Sequence, residues 1–317
     1  MSDEKKTQGT SEQAGDNASK VAIAEPKSAM TEAVQPTVDQ VVEGKVVEKR
    51  KQTMEEAVTA LAETKNALAA LDEKDTTRAL DALAQVTGKL ELILARQPEL
   101  AFAPVDVQTV VHDVFAGTDT IEDLLDEAEH ALKHGEVQKA RHLLSGMASE
   151  ILIQTTSIPL ASYPQAISAV APLIDEGKID EAKAALQAVL GTLVVSNSVV
   201  IPLPVERARA MLKEAETLAE KSDRSTEEDK RLGAMLDDAR KQLEMAELLG
   251  YGRKKKDFKD IYAQIKEVEG KVKSGKAGKG LFDEITASFR SLFDHKGVEQ
   301  KSEADNDAEK PTGDGGK

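Results

Sequence analysis

Ile151-Leu152-Ile153-Gln154-Thr155-Thr156-Ser157-Ile158-Pro159-Leu160 and Leu193-Val194-Val195-Ser196-Asn197-Ser198-Val199-Val200-Ile201-Pro202-Leu203-Pro204 are two versions of one pattern. Each opens apolar, turns Ser/Thr/Asn-rich and closes on an Ile-Pro-Leu step. Each follows one helical run and precedes another. Working outward, Gly135, Ala140, Leu144, Met147 and Ile151 recur 42 places later as Gly177, Ala182, Leu186, Val189 and Leu193. Pro159 and Pro202 join the alignment after one inserted residue. A weaker copy lies 61 places upstream, where Ala79, Leu83, Val86, Leu90 and Pro98 precede Ala140, Leu144, Met147, Ile151 and Pro159. A small residue after a tight turn lets two helices approach closely, and hairpins that cannot bury their own faces must stack.

This predicts an all-α fold: stacked helical hairpins in a repeat-like bundle, with short extended Ile-Pro-Leu segments and disordered termini. Val199, Val200 and Ile201 are β-branched and suit extended backbone. Pro159 and Pro202 lack an N–H, which suits edge strands or buried extended connections. Ile158, Pro159, Leu160, Tyr163, Val200, Ile201, Pro202 and Leu203 are therefore the candidate interface or hinge residues.

Composition agrees with helix. Aromatics make up 3% of 317 residues, Trp is absent, and Ala, Leu, Glu and Lys dominate; such side chains lose little rotamer freedom in a helix. The absence of Cys excludes disulfides, thiolate nucleophiles and Cys-ligated zinc. The net charge is −15. Residues 51–251 hold 20 Lys/Arg against 35 Asp/Glu, whereas residues 252–280 hold ten against four. An acidic body repels phosphate, so nucleic acid is not an expected partner. No run of about 18 apolar residues supports a transmembrane helix.

Residues 1–51 read as a disordered polar leader in which Val38, Val41, Val42, Val46 and Val47 form at most a short dock. Met1-Ser2-Asp3-Glu4-Lys5-Lys6 leads into polar residues rather than an apolar signal, which sets a cytoplasmic expectation. Residues 52–250 form the helical domain. Within it, Phe102 to Ala116 reads as a loose stretch with one short helix from Asp106, and Asp119 reads as the N-cap of the next helix. Ser225-Thr226-Glu227-Glu228 is a capping box. Residues 251–297 read as a basic linker with short helices, and 298–317 as a disordered acidic tail.

No enzyme motif stands out. His130 and His134 share a helix face, with His112 and His142 nearby in sequence, but His134 beside Gly135 suits a helix C-terminus and no metalloprotease pattern follows. The carboxylates repeat at helical spacing on a polar face. No catalytic, cofactor or metal residue is assigned.

Residues 52–250 resemble the YfdX family of bacterial proteins. The resemblance rests on Ser157-Ile158-Pro159-Leu160 with Tyr163-Pro164, on Gly177-Lys178 through Ala182, and on Val199-Val200-Ile201-Pro202-Leu203-Pro204 leading into Ala208, Met211-Leu212 and Glu214-Ala215-Glu216. It implies a mainly helical homo-oligomer linked to acid and drug stress. It also implies chaperone-like or small-molecule-binding behaviour toward an unfolded client or partner protein, periplasmic residence, and no catalytic residues. A helical-repeat scaffold that grips one partner protein is the alternative.

Overall fold

The computed structural model describes residues 27–114, 116–252, 255–274 and 280–293. The expectations for residues 1–26 and for the tail at 298–317 fall outside them. The fold is mainly helical, with one three-stranded antiparallel sheet in the order β1-β2-β3.

The chain begins with a correction. Residues 29–50 are not a disordered leader but a helix, α1 (Ala29–Arg50). The Ser28 hydroxyl caps it by accepting from the Thr31 N–H at 3.0 Å. Val34, Val38, Val42 and Val46 form a stripe at four-residue spacing; Val42 is partly buried and the other three are buried. Valine is a weak helix former, so this helix depends on what it packs against.

The three sequence copies become three units of helix, turn, helix and strand. The first is α2 (Glu55–Asp72), α3 (Thr76–Arg96) and β1 (Phe102–His112); the second is α4 (Thr118–Lys133), α5 (Val137–Leu144) and β2 (Glu150–Pro159). The third is a short pair, α6 (Tyr163–Ser168) and α7 (Val170–Asp175), then α8 (Ile179–Leu190) and β3 (Val194–Pro202). The turns superpose in detail. Lys74, Gly135 and Gly177 all take positive φ, at 62°, 74° and 76°. In each turn the next N–H reaches back along the helix: Asp75 to Ala70 C=O, Glu136 to Ala131 C=O and Lys178 to Leu173 C=O, at 2.8–2.9 Å. This is a Schellman closure, and it turns the chain tightly enough for Ala79, Ala140 and Ala182 to be buried against the preceding helix.

Lys74 is the one side chain among the three that bears the left-handed cost. Lys74→Gly is expected to stabilise the protein by up to about 1 kcal/mol, read as a higher urea midpoint with unchanged slope.

The sheet corrects a second expectation. Phe102–His112 is a strand rather than a loop with a short helix: buried Ala103, Val105 and Val107 alternate with Pro104, Asp106 and Gln108 at period two, and β-branched Thr109, Val110 and Val111 extend it. The Ile-Pro-Leu steps are strand ends. Ile158 and Ile201 are buried in the sheet, and the proline contributes no donor. The following N–H, of Leu160 or Leu203, then closes onto the residue just before the neighbouring strand: Ala101 C=O or Ser149 C=O, each at 2.9 Å. The residue inserted in the third unit is accommodated as a bulge in β3, where Ser198 has no partner on β2 and its hydroxyl donates to Ile153 C=O at 2.8 Å.

Two helical bodies flank the sheet. One core joins α2, α3, α6, α7 and α8 to one end of it, through Ala103, Val105, Ile158 and Leu160. The other is built from α9 (Leu203–Ala219), α10 (Thr226–Leu248), α11 (Lys255–Lys273) and α12 (Asp283–Phe293). Phe258, Ile261, Ile265, Phe282, Ile285 and Phe289 are buried there, so much of the expected basic linker is part of the body. A small third core sets Val38 and Val46 of α1 on Val107, Ile151, Ile153 and Ile201 of the sheet. Two helix starts complete the comparison. Ser225 and Glu228 form the expected capping box, and Lys221 with the Ser225 N–H holds the Glu228 carboxyl down at about 2. The fourth helix is capped by Gly117 with Asp119 in its first turn, not by Asp119 itself.

Candidate functional site

The candidate residues separate once placed. Ile158, Leu160, Tyr163, Ile201 and Leu203 are buried inside the chain's own cores, and Pro159 and Pro202 are partly covered at strand ends. The Tyr163 hydroxyl donates to Thr64 Oγ1 at 3.1 Å in the α2–α3 core; burial there pushes its ionisation up. Val200 alone of the set is an exposed side chain, 44% accessible.

Val200 belongs to a surface. Strand pairing aligns Val110, Leu152 and Val200 in one row, and Gln108, Gln154 and Asn197 in the next, on the face opposite α1. Leu152 and Val110 are half-buried, Val195 is exposed, and Gln154 Nε2 donates to Asn197 Oδ1 at 3.1 Å. Among the described residues this row has no covering helix, so the sheet has one packed face and one open, half-apolar face. A second apolar surface lies on the α4–α5 hairpin, where Leu132, Val137 and Leu144 are exposed.

A polar cluster that the sequence did not reveal sits just past β1. Asp113 receives Arg207 Nη1 at 3.0 Å and Nη2 at 2.6 Å, Ser149 Oγ at 2.9 Å, and the Lys27 ammonium at 3.2 Å. The Asp113 and Arg207 side chains are 8% and 4% accessible. Burial pushes the Asp113 carboxyl up, but Arg207, Ser149 and Lys27 together hold it below the ordinary carboxylate range. Beside it, the Ser149 N–H donates to the Tyr251 hydroxyl at 3.1 Å, which in turn donates to Glu150 at 2.8 Å. Burial and Glu150 push Tyr251 well up. The cluster thus ties α1, the end of β1, the start of β2, α9 and the end of α10 together. One clue was available in the sequence: Arg207 interrupts the apolar stripe from Leu203 to Met211 at the four-residue spacing of a buried position.

Asp113 and Arg207 also edge a cavity of about 500 Å³ between the start of α1, the start of α4 and α10, lined further by Thr118, Asp238, Lys241 and Gln242. Its charges are matched internally, since Lys241 pairs with Asp237 at 2.6 Å and Asp238 at 3.4 Å. The size suits a small molecule.

The histidines do not converge. His130 and His134 stack at 4.2 Å, and His134 Nδ1 lies 2.8 Å from His130 C=O at the end of α4. His112 ends β1 and His142 lies on α5. Among the described residues no three His, Asp or Glu gather as a metal site.

Residues 60–200 match the YfdX protein family model. These residues are a YfdX region. The match begins in α2 and runs through all three helix–helix–strand units to Val200 in β3, so these units make up the region matched. A solved structure of Salmonella Typhi YfdX is similar at 17% identity, with 45% of this chain and 90% of that one covered and a TM-score of 0.31. No curated protein matches.

Proposed function

We propose that the protein works without catalysis, as a stress-associated, chaperone-like binder that acts as a homo-oligomer and holds apolar segments of partly unfolded clients. The observation that carries this reading is the open face of the sheet. Val110, Leu152 and Val200 form an apolar row rimmed by Gln108, Gln154 and Asn197. Such a surface takes an extended apolar segment by side-chain contact and offers amide groups to its backbone. The small cavity beside Asp113 gives the same protein room for a small molecule.

Reductive aggregation of insulin tests the client reading, because a chain without Cys is untouched by the reductant. The wild-type protein is expected to hold the B chain in solution at near-equimolar amounts, and Val110→Glu with Val200→Glu to lose most of that effect while staying folded. Undiminished light scattering with the wild type would sink the proposal.

A second reading has its own observation. The exposed Leu132, Val137 and Leu144 on the α4–α5 hairpin fit a scaffold that grips one partner protein. That reading requires a single partner retained in pull-downs and lost on Leu132→Glu with Leu144→Glu.

A further inference from the structure

The two edges of the sheet are built differently. β1 carries Pro104, Asp106 and a bulge at Val105, all devices that discourage another strand from adding. β3 carries no charge, and its only proline is its last residue. The neutral stretch is long: from Ala184 to Val205 there is no charged side chain, in a chain of net charge −15. Two such acidic molecules meet least repulsion where neither presents charge. Val194, Val195 and Val200 are nevertheless exposed, Val195 at 57%.

The edge is also self-matching. A two-fold interface needs a surface complementary to itself; about Asn197, with Ser198 bulged out, an antiparallel copy sets Ser196 on Val199, Val195 on Val200 and Val194 on Ile201.

We propose that two copies of this chain pair along β3, antiparallel, about a two-fold axis through Asn197. This rests on the homo-oligomer reading above and names its seam. The bulge at Ser198 takes up one residue on each strand. Val195 and Val200, which lie on the same open face opposite Thr156 and Leu152, then meet Val200 and Val195 of the second copy. Main-chain hydrogen bonds across the edge hold the pair. The two sheets become one of six strands with a continuous open face, which doubles the apolar row assigned to clients.

The absence of Cys allows a direct test. Residues on a two-fold axis lie opposite themselves, at the Cα separation of about 4.5–5.5 Å found between facing antiparallel residues, within disulfide reach. Asn197→Cys in the full chain is expected to form a disulfide-linked dimer of twice the 34.1 kDa chain mass under mild oxidation, whereas Gln138→Cys, exposed on α5, stays single. Val195→Lys, at a site already open to water, is expected to keep the helical circular dichroism and weaken self-association roughly tenfold or more in sedimentation. A wild type that sediments as one chain at all concentrations overturns both the seam and the oligomer reading. An oligomer that survives Val195→Lys and gives no Asn197→Cys dimer overturns the seam alone.

Discussion

Asp113→Asn is expected to destabilise the protein by about 3–5 kcal/mol at neutral pH, the range for removing one member of a buried ion pair. Arg207 is held by two hydrogen bonds to this carboxylate and is nearly sealed from water. Without the charge, a buried guanidinium faces a neutral amide, and Lys27 loses its anion as well. Arg207→Met with Asp113→Asn removes both charges and is expected to recover much of the loss. The effect depends on pH. Asp113 titrates lower in the folded chain than its unfolded value of about 3.9. Its contribution is therefore fully present above that value and is lost as pH falls through the folded one. Urea unfolding should show a wide gap between wild type and Asp113→Asn at about pH 7 that narrows below about pH 4. A loss under about 1 kcal/mol at neutral pH would mean that the pair behaves as a surface ion pair.

Ile158→Ala is expected to cost about 2–5 kcal/mol, the range for emptying a buried aliphatic site. Ile158 is fully buried where the end of β2 meets the α2–α3 and α6–α8 core, and it pairs across to Ala103. The cavity would open between sheet and helices, two surfaces that cannot both close over it. The same substitution is expected to leave the assembled mass unchanged under native conditions. Val200→Lys should do the reverse, with a change of about 0.5 kcal/mol or less in monomer stability and a clear fall in sedimentation coefficient. Residues drawn from one motif would thus divide into a core member and a surface member. If Ile158→Ala alters the mass but not the unfolding midpoint, Ile158 belongs to an interface after all.

Much of this architecture was legible because repetition carries its own evidence. The spacings of 42 and 61 located three equivalent turns, and the buried alanines after them show why those positions stay small. The strands were harder to read. The alternation from Ala103 to Gln108 is short, contains Pro104 and is lost at Val110, and helical composition on either side outweighs it. The first helix was hidden for the opposite reason, since its valines stabilise it only through a sheet that no local pattern reveals. The Asp113–Arg207 pair joins residues 94 apart. Only Arg207's position in an apolar stripe hinted that a partner was needed.

The dependence of α1 on the sheet has a kinetic consequence. Val34, Val38 and Val46 are made first, but the groups they bury against, among them Ile153, Ile201 and Met211, come from strands and a helix synthesised much later. Each helical hairpin can close on itself as it emerges and deliver its strand to the previous one. The first helix meets only Val107, Ile151 and Ile153 early, and its seat is complete only when the third strand and α9 are in place. It is therefore the last clasp of the central assembly, and the segment whose release would expose the packed face of the sheet at least cost to the rest.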